Sequence, residues 1–186
     1  SLRQSVQLIN PNHEHIGSSN GALSTYLKAV RPHQWLKNIL VFLPAFAAHQ
    51  LESSVLLESL IAFLAFSFIA SSVYVTNDLL DLNADRAHPR KCNRPFACGA
   101  IPIHHGGLLA LCLFLIGIIT ALLLEPVFLS SLLVYYLLTS TYSLILKRRT
   151  IVDICTLAGL YTMRIIGGGL ATNIELSFWL LAFSIF

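Results

Sequence analysis

Asn77-Asp78-Leu79-Leu80-Asp81-Leu82-Asn83-Ala84-Asp85 sets three carboxylates and an amide where a long apolar run ends. Asp78, Asp81 and Asp85 are spaced i, i+3 and i+7, so at about 3.6 residues per turn a helix puts them on one face. Like charges at that distance repel unless a cation sits among them, and a helix C-terminus disfavours acids besides. Hard carboxylate oxygens suit Mg²⁺, which takes few protein ligands and shares itself with substrate phosphates. The chain then turns basic at Arg86, Arg90, Lys91 and Arg94. An acidic face beside a cationic loop suits a diphosphate-bearing donor. Asp78, Asp81 and Asp85 are the candidate metal ligands and catalytic residues, and Asn77 is placed to orient a water or a phosphate oxygen. The bland alternative, a solvated helix end, leaves the repulsion uncompensated.

Other residues could bind the same substrate. Arg94 precedes Pro95, which fixes the backbone beside a forked phosphate donor. Lys91 joins it, although a basic loop also serves topology alone. Arg164 lies in an apolar stretch, eleven residues beyond Asp153, or roughly 16 Å along a helix. An arginine at that depth faces a wet cavity or the bundle interior. It is either a phosphate-binding cation or half of an internal ion pair. Asp153 is correspondingly a ligand or a structural partner of Arg164. Lys37, within Arg31-Pro32-His33-Gln34-Trp35-Leu36-Lys37-Asn38, is a substrate contact or an interfacial anchor, and Tyr142 and Lys147 pose the same choice. His88, Cys92, Cys98 and His104 do not have the intervals of a zinc site. Cys112 and Cys155 read as small hydrophobes.

The elements that carry these residues are apolar. Of 186 residues, 55% are hydrophobic and 11% charged, and mean hydropathy is +0.71, where a soluble domain is about a quarter charged. The chain reads as an all-α integral membrane protein. Against the ~20 residues a spanning helix needs, the first span covers 39–49 extended backward through 24–37, with Pro44 as a kink point. Further spans cover 55–80, 106–124, 127–146 and 151–171, and a sixth begins near Leu176. That makes a transmembrane bundle of five full helices plus the start of a sixth.

Except for Arg164, every Lys and Arg falls before residue 39, in the segment around Arg94, or at Lys147, Arg148 and Arg149. The alternate connections, at Glu52, Glu125 and Glu175, have none. The positive-inside rule puts the Asp face in the cytoplasm. Residues 1–23 are polar and rich in breakers, a linker or tail rather than a signal peptide. The single Met is Met163, and the chain stops inside an apolar run, so it reads as part of a longer protein. No nucleic acid is expected as a partner; the bilayer is.

Taken together, Arg31 to Asn38, the NDxxDxxxD run from Asn77 to Asp85, Asn93-Arg94-Pro95, and Tyr142 to Arg148 resemble the UbiA superfamily of membrane prenyltransferases. Asp85 to Pro95 and the stretch from Asp153 through Ala158, Gly159 and Tyr161 to Arg164 look most like its decaprenyl-phosphate phosphoribosyltransferase branch, and like a related group fused to a haloacid-dehalogenase-like phosphatase domain upstream. The resemblance covers 24–186. It implies nine transmembrane helices around a cavity open to the cytoplasm, a bacterial inner-membrane location, Mg²⁺ as cofactor and a polyprenyl lipid as substrate. It also implies a second acidic motif beyond the sixth helix. The chain ends before it, so the transferase domain is expected to be truncated and inactive alone.

Two chemistries share such a face. One transfers phosphoribose from phosphoribosyl diphosphate to a polyprenyl phosphate, and is favoured. The other transfers a prenyl group from its diphosphate to an aromatic or lipid acceptor. An ion-coupled transporter is a lesser alternative, since it would show repeats with midplane sites. A non-catalytic scaffold leaves the acidic face unexplained.

Overall fold

A computed structural model describes residues 22–144 and 150–185. Most of the expected polar tail, and Lys147 with Arg148, lie outside the described residues. Helix α1 spans Ala22–Val30, and a 3₁₀ segment, Pro32–Phe42, comes next. Then come α2 (Leu43–Ala47), α3 (Ser53–Leu80) and the short α4 (Leu82–Ala87). A turn at Lys91–Asn93 leads to α5 (Ile103–Ala121), α6 (Pro126–Leu144), α7 (Thr150–Thr172) and α8 (Phe178–Ile185). Among the described residues, four helices, α3, α5, α6 and most of α7, are long and apolar enough to cross a membrane. Leucines and isoleucines such as Leu108, Ile119, Leu137 and Ile154 are exposed on their outer faces, as the bilayer requires.

The expected first span is not one helix. Arg31 adopts a left-handed backbone (φ 55°, ψ 58°) ahead of Pro32, because proline disfavours the right-handed helical region for the residue before it. The break orphans helical carbonyls, which must find partners inside the protein. Ser71 Oγ on α3 donates to the Val30 carbonyl (2.8 Å) and accepts from Trp35 Nε1 (2.9 Å). The chain then winds as 3₁₀ helix for eleven residues, where runs beyond about four are uncommon. At three residues per turn, Trp35, Asn38 and Val41 stack on one face, and Asn38 and Val41 are buried. Asn38 Nδ2 donates to Ser67 Oγ at 3.0 Å. A second row, Arg31, Gln34 and Lys37, faces a cavity between the helices.

The larger buried apolar cluster lies where α3, α6 and α7 meet the 3₁₀ segment, and a smaller one lies between α1, α3, α5 and the loop at Phe96 and Ile101. Phe66 is fully buried and packs edge-on against Phe128 and Tyr135, with ring centres 5.9 and 4.9 Å apart. Gly168 on α7 meets the 3₁₀ backbone directly, and a Cβ there would overlap the Val41 carbonyl. Small residues allow this approach between membrane helices, as the Gly167-Gly168-Gly169 run suggests. Gly168→Ala is expected to cost about 1–3 kcal/mol, since backbone must move. A lowered melting temperature in detergent checks it. Gly107→Ala, where a Cβ meets nothing within 4 Å inside a helix, should not lower that temperature.

Candidate active site at the Asp-rich end of the bundle

The end of α3 carries the acidic motif, and the structure compensates its charge with arginine. Asp78 is buried at 2% exposure. Arg31 Nη2 donates to both of its oxygens, at 2.7 and 2.8 Å. Arg94 Nη1 donates to Asp78 Oδ1 at 3.1 Å and to Asp85 Oδ2 at 2.6 Å. One guanidinium nitrogen thus sits between two buried carboxylates, where a bridging cation would sit. Asp81 ends α3 (φ −87°, ψ 10°), and its carbonyl accepts from the Asp85 amide at 2.8 Å. The bend turns Asp85 back toward Asp78. Arg86 does not balance Asp85 as an ion pair; its Nε donates to the Ala97 carbonyl at 3.3 Å.

The donor set fits a hard divalent cation. Among the described residues, no group of three or more His, Cys, Asp or Glu side chains is assembled as a ready metal cage. Asp78 and Asp85 supply two carboxylates, and Mg²⁺ is commonly held by one or two carboxylates with substrate phosphates completing its shell. Asp78 and Asp85 would hold such an ion, and Arg94, which now stands between them, would then offer a forked donor to those phosphates.

Beside this face lies a cavity of about 300 Å³. Arg31, Gln34 and Lys37 form one wall, Tyr74 and Asn77 come from α3, Tyr135 and Tyr142 from α6, and Tyr161 and Arg164 from α7. Three cations line it and, among the described residues, no carboxylate does. Asn77 Oδ1 accepts from Ser143 Oγ at 2.5 Å. Tyr142 donates to Asp153 Oδ1 at 2.6 Å, so Asp153 partners Tyr142 rather than Arg164. Arg164 has no ion pair among the described residues. It donates to Asn38 Oδ1 (2.7 Å), the Leu160 carbonyl (2.6 Å) and Tyr135 Oη (2.9 Å). Lys91 stays exposed on its loop.

Asn77, Lys37, Tyr142 and Arg164 are therefore brought around one cavity, with Arg94 on the Asp face beside it. Arg31 is the residue that sequence reasoning undervalued. Its place before a proline, at the start of a basic-aromatic cluster, was the available signal.

A family model described as the UbiA prenyltransferase family matches residues 38–186. The chain belongs to the UbiA prenyltransferase family. It is 38% identical over 181 residues to the uncharacterized protein y4nM of Sinorhizobium fredii, covering 97% of this chain and 34% of that protein. It is also 38% identical over 160 residues to the decaprenyl-phosphate phosphoribosyltransferase of Mycobacterium tuberculosis, covering 83% of this chain and 53% of that one. The chain thus spans a third to about half of the relatives it matches. A solved UbiA homolog from Archaeoglobus fulgidus, bound to DMAPP and Mg²⁺, superposes with a TM-score of 0.71. That likeness covers 87% of this chain and 59% of the other at 18% identity, which speaks to the fold. Family and apolar helices together make this a multi-pass integral membrane protein.

The UbiA-family Asp face depends on Arg31 for its charge balance. Removing one partner of a buried pair costs on the order of 3 kcal/mol. Arg31→Met should lower the melting temperature in EDTA, and Arg31→Met with Asp78→Asn should regain most of the loss. Thermal unfolding of the single and double variants in detergent tests the coupling.

Proposed function

We propose that this chain is the Asp-face half of an Mg²⁺-dependent transferase that moves phosphoribose from phosphoribosyl diphosphate to a polyprenyl phosphate. The observation that carries it is a cavity lined by Arg31, Lys37 and Arg164, with no carboxylate among the described residues that line it, next to the Asp78–Arg94–Asp85 face. Relatives named decaprenyl-phosphate phosphoribosyltransferase at 36–38% identity support this choice of substrates.

In the proposed reaction, the bond from the anomeric carbon to the diphosphate oxygen breaks, and diphosphate leaves with the electron pair. An oxygen of the polyprenyl phosphate forms the new bond to that carbon. The nucleophile is already anionic, so no general base is required, in keeping with a cavity that offers cations and hydroxyls. Mg²⁺ held by Asp78, Asp85 and Asp81 would supply Lewis-acid neutralisation of the leaving charge. Arg94 and Arg31 exchange their carboxylates for the donor's phosphates, and Asn77 orients a phosphate oxygen. Such donors, aimed where charge develops, are the usual main source of rate enhancement. The sidedness of Lys and Arg supports a site opening to the cytoplasm of a bacterial inner membrane.

Prenyl transfer to an aromatic or lipid acceptor is the second reading, favoured by the DMAPP and Mg²⁺ bound to the solved archaeal homolog. Membranes containing the natural full-length protein, given Mg²⁺, a polyprenyl phosphate and labelled phosphoribosyl diphosphate, separate the two. Label is expected in the organic phase. Asp81→Ala or EDTA should reduce it by roughly a hundredfold or more. Label that stays aqueous, while a prenyl diphosphate is consumed, would favour prenyl transfer.

A further inference from the structure

Arg164 is 4% exposed, and a buried guanidinium is costly unless its charge is met. Every partner it has among the described residues is neutral. The Asn38 amide oxygen, the Leu160 carbonyl and the Tyr135 hydroxyl accept from Nε, Nη1 and Nη2. The rings of Tyr135 and Tyr161 lie 5.1 and 5.4 Å from its Cζ. These contacts hold the side chain and soften its field without cancelling its charge. They use three of the five N–H groups of an arginine. Asn38 is itself fixed by Ser67, so the guanidinium is held still at the cavity wall. Arg31 and Lys37 line the same cavity, and since Arg31 is already paired with Asp78, the excess charge there comes from Lys37 and Arg164.

We propose that the Arg164 end of the cavity is a binding site for a phosphate monoester, separate from the diphosphate site at Asp78 and Asp85. The bound oxygens take the N–H groups that Asn38, Leu160 and Tyr135 leave over. Two substrates of the proposed reaction carry such a group: the polyprenyl phosphate at its terminus and the phosphoribosyl donor at its 5-position. The site rests on the transfer reading only for which of them fills it.

Asn38→Asp is the discriminating variant. It places a carboxylate 2.7 Å from Arg164 Nε with almost no change of shape, giving the arginine an internal counter-ion while keeping it in place. Full-length protein in detergent and EDTA is titrated calorimetrically with geranyl phosphate, ribose 5-phosphate and benzoate. Wild type should bind at least one phosphate and not benzoate. Asn38→Asp should weaken that binding at least about tenfold without lowering the melting temperature. Arg164→Lys, which keeps the charge but not the fork, should fall between them. In the transfer assay, the KM of one substrate should rise and that of the other stay. A rise for the lipid phosphate assigns the site to the acceptor, and a rise for the sugar donor assigns it to the 5-phosphate.

Equal phosphate binding in wild type and Asn38→Asp, no phosphate binding in wild type, or preferential benzoate binding each overturns the site. If Asn38→Asp unfolds, the comparison with Arg164→Lys decides: unchanged binding there overturns the site as well. Phosphate binding that behaves as expected in a protein that transfers no phosphoribose would remove the function proposed above and leave the site standing.

Discussion

A carboxylate carried to the end of a membrane helix must find its counter-charge within the protein, and the surroundings of Asp78 are built to that requirement. It is buried, so its pairing with Arg31 and Arg94 is not a loose surface contact. To reach it, Arg31 leaves the helical region and ends α1. To reach it and Asp85 together, Arg94 stands on a fixed turn before Pro95, and α3 ends at Asp81 so that Asp85 folds back. Helix ends, loop path and site geometry are thus set by the need to neutralise two acids in a low-dielectric place.

The break at Arg31 has a second consequence, because the Pro32–Phe42 segment winds with three residues per turn. In such a winding, rows of every third residue run straight along the axis. Trp35, Asn38 and Val41 form one row against α3 and α7, and Arg31, Gln34 and Lys37 form another along the cavity. An α-helix would rotate each row away by about 60° per step at 100° per residue, carrying Lys37 off the wall that Arg31 begins. The serines of α3 stabilise the unusual winding, since Ser71 accepts from Trp35 and caps the Val30 carbonyl while Ser67 accepts from Asn38. Gly168 lets α7 close on the same backbone. Arg164 then reaches Asn38, and the two ends of the described chain are tied together at the cavity.

Much of this is legible in the sequence. Long apolar runs delimit α3, α5, α6 and α7 to within a few residues, because nothing but a helix satisfies its own backbone in hydrocarbon. The spacing of Asp78, Asp81 and Asp85 marks the candidate site. Two features depart from the sequence-based expectation for physical reasons. Apolar length alone suggests one helix for the first span, although a proline after a charged residue can equally begin a new element. Only the contacts of Arg31 with Asp78 and of Val30 with Ser71 make the break stable. The cation expected among the carboxylates is, in this structure, the guanidinium of Arg94, which lies nine residues beyond Asp85 in a loop whose path no periodicity predicts.

The sequence by itself determined that the chain is helical, that it crosses a membrane several times and that its aspartates and nearly all of its Lys and Arg fall toward one end of the helices. Those properties come from hydrophobicity, spacing and charge, which are local and additive along the chain. Tertiary structure alone decided which charge meets which. Arg164 could have met Asp153, but Asp153 pairs with Tyr142, and Arg164 faces neutral oxygens from the 3₁₀ segment and α6. Partner choice for a buried ion depends on distances of a few ångströms between helices far apart in sequence. Those distances are fixed by side-chain packing rather than by any local pattern.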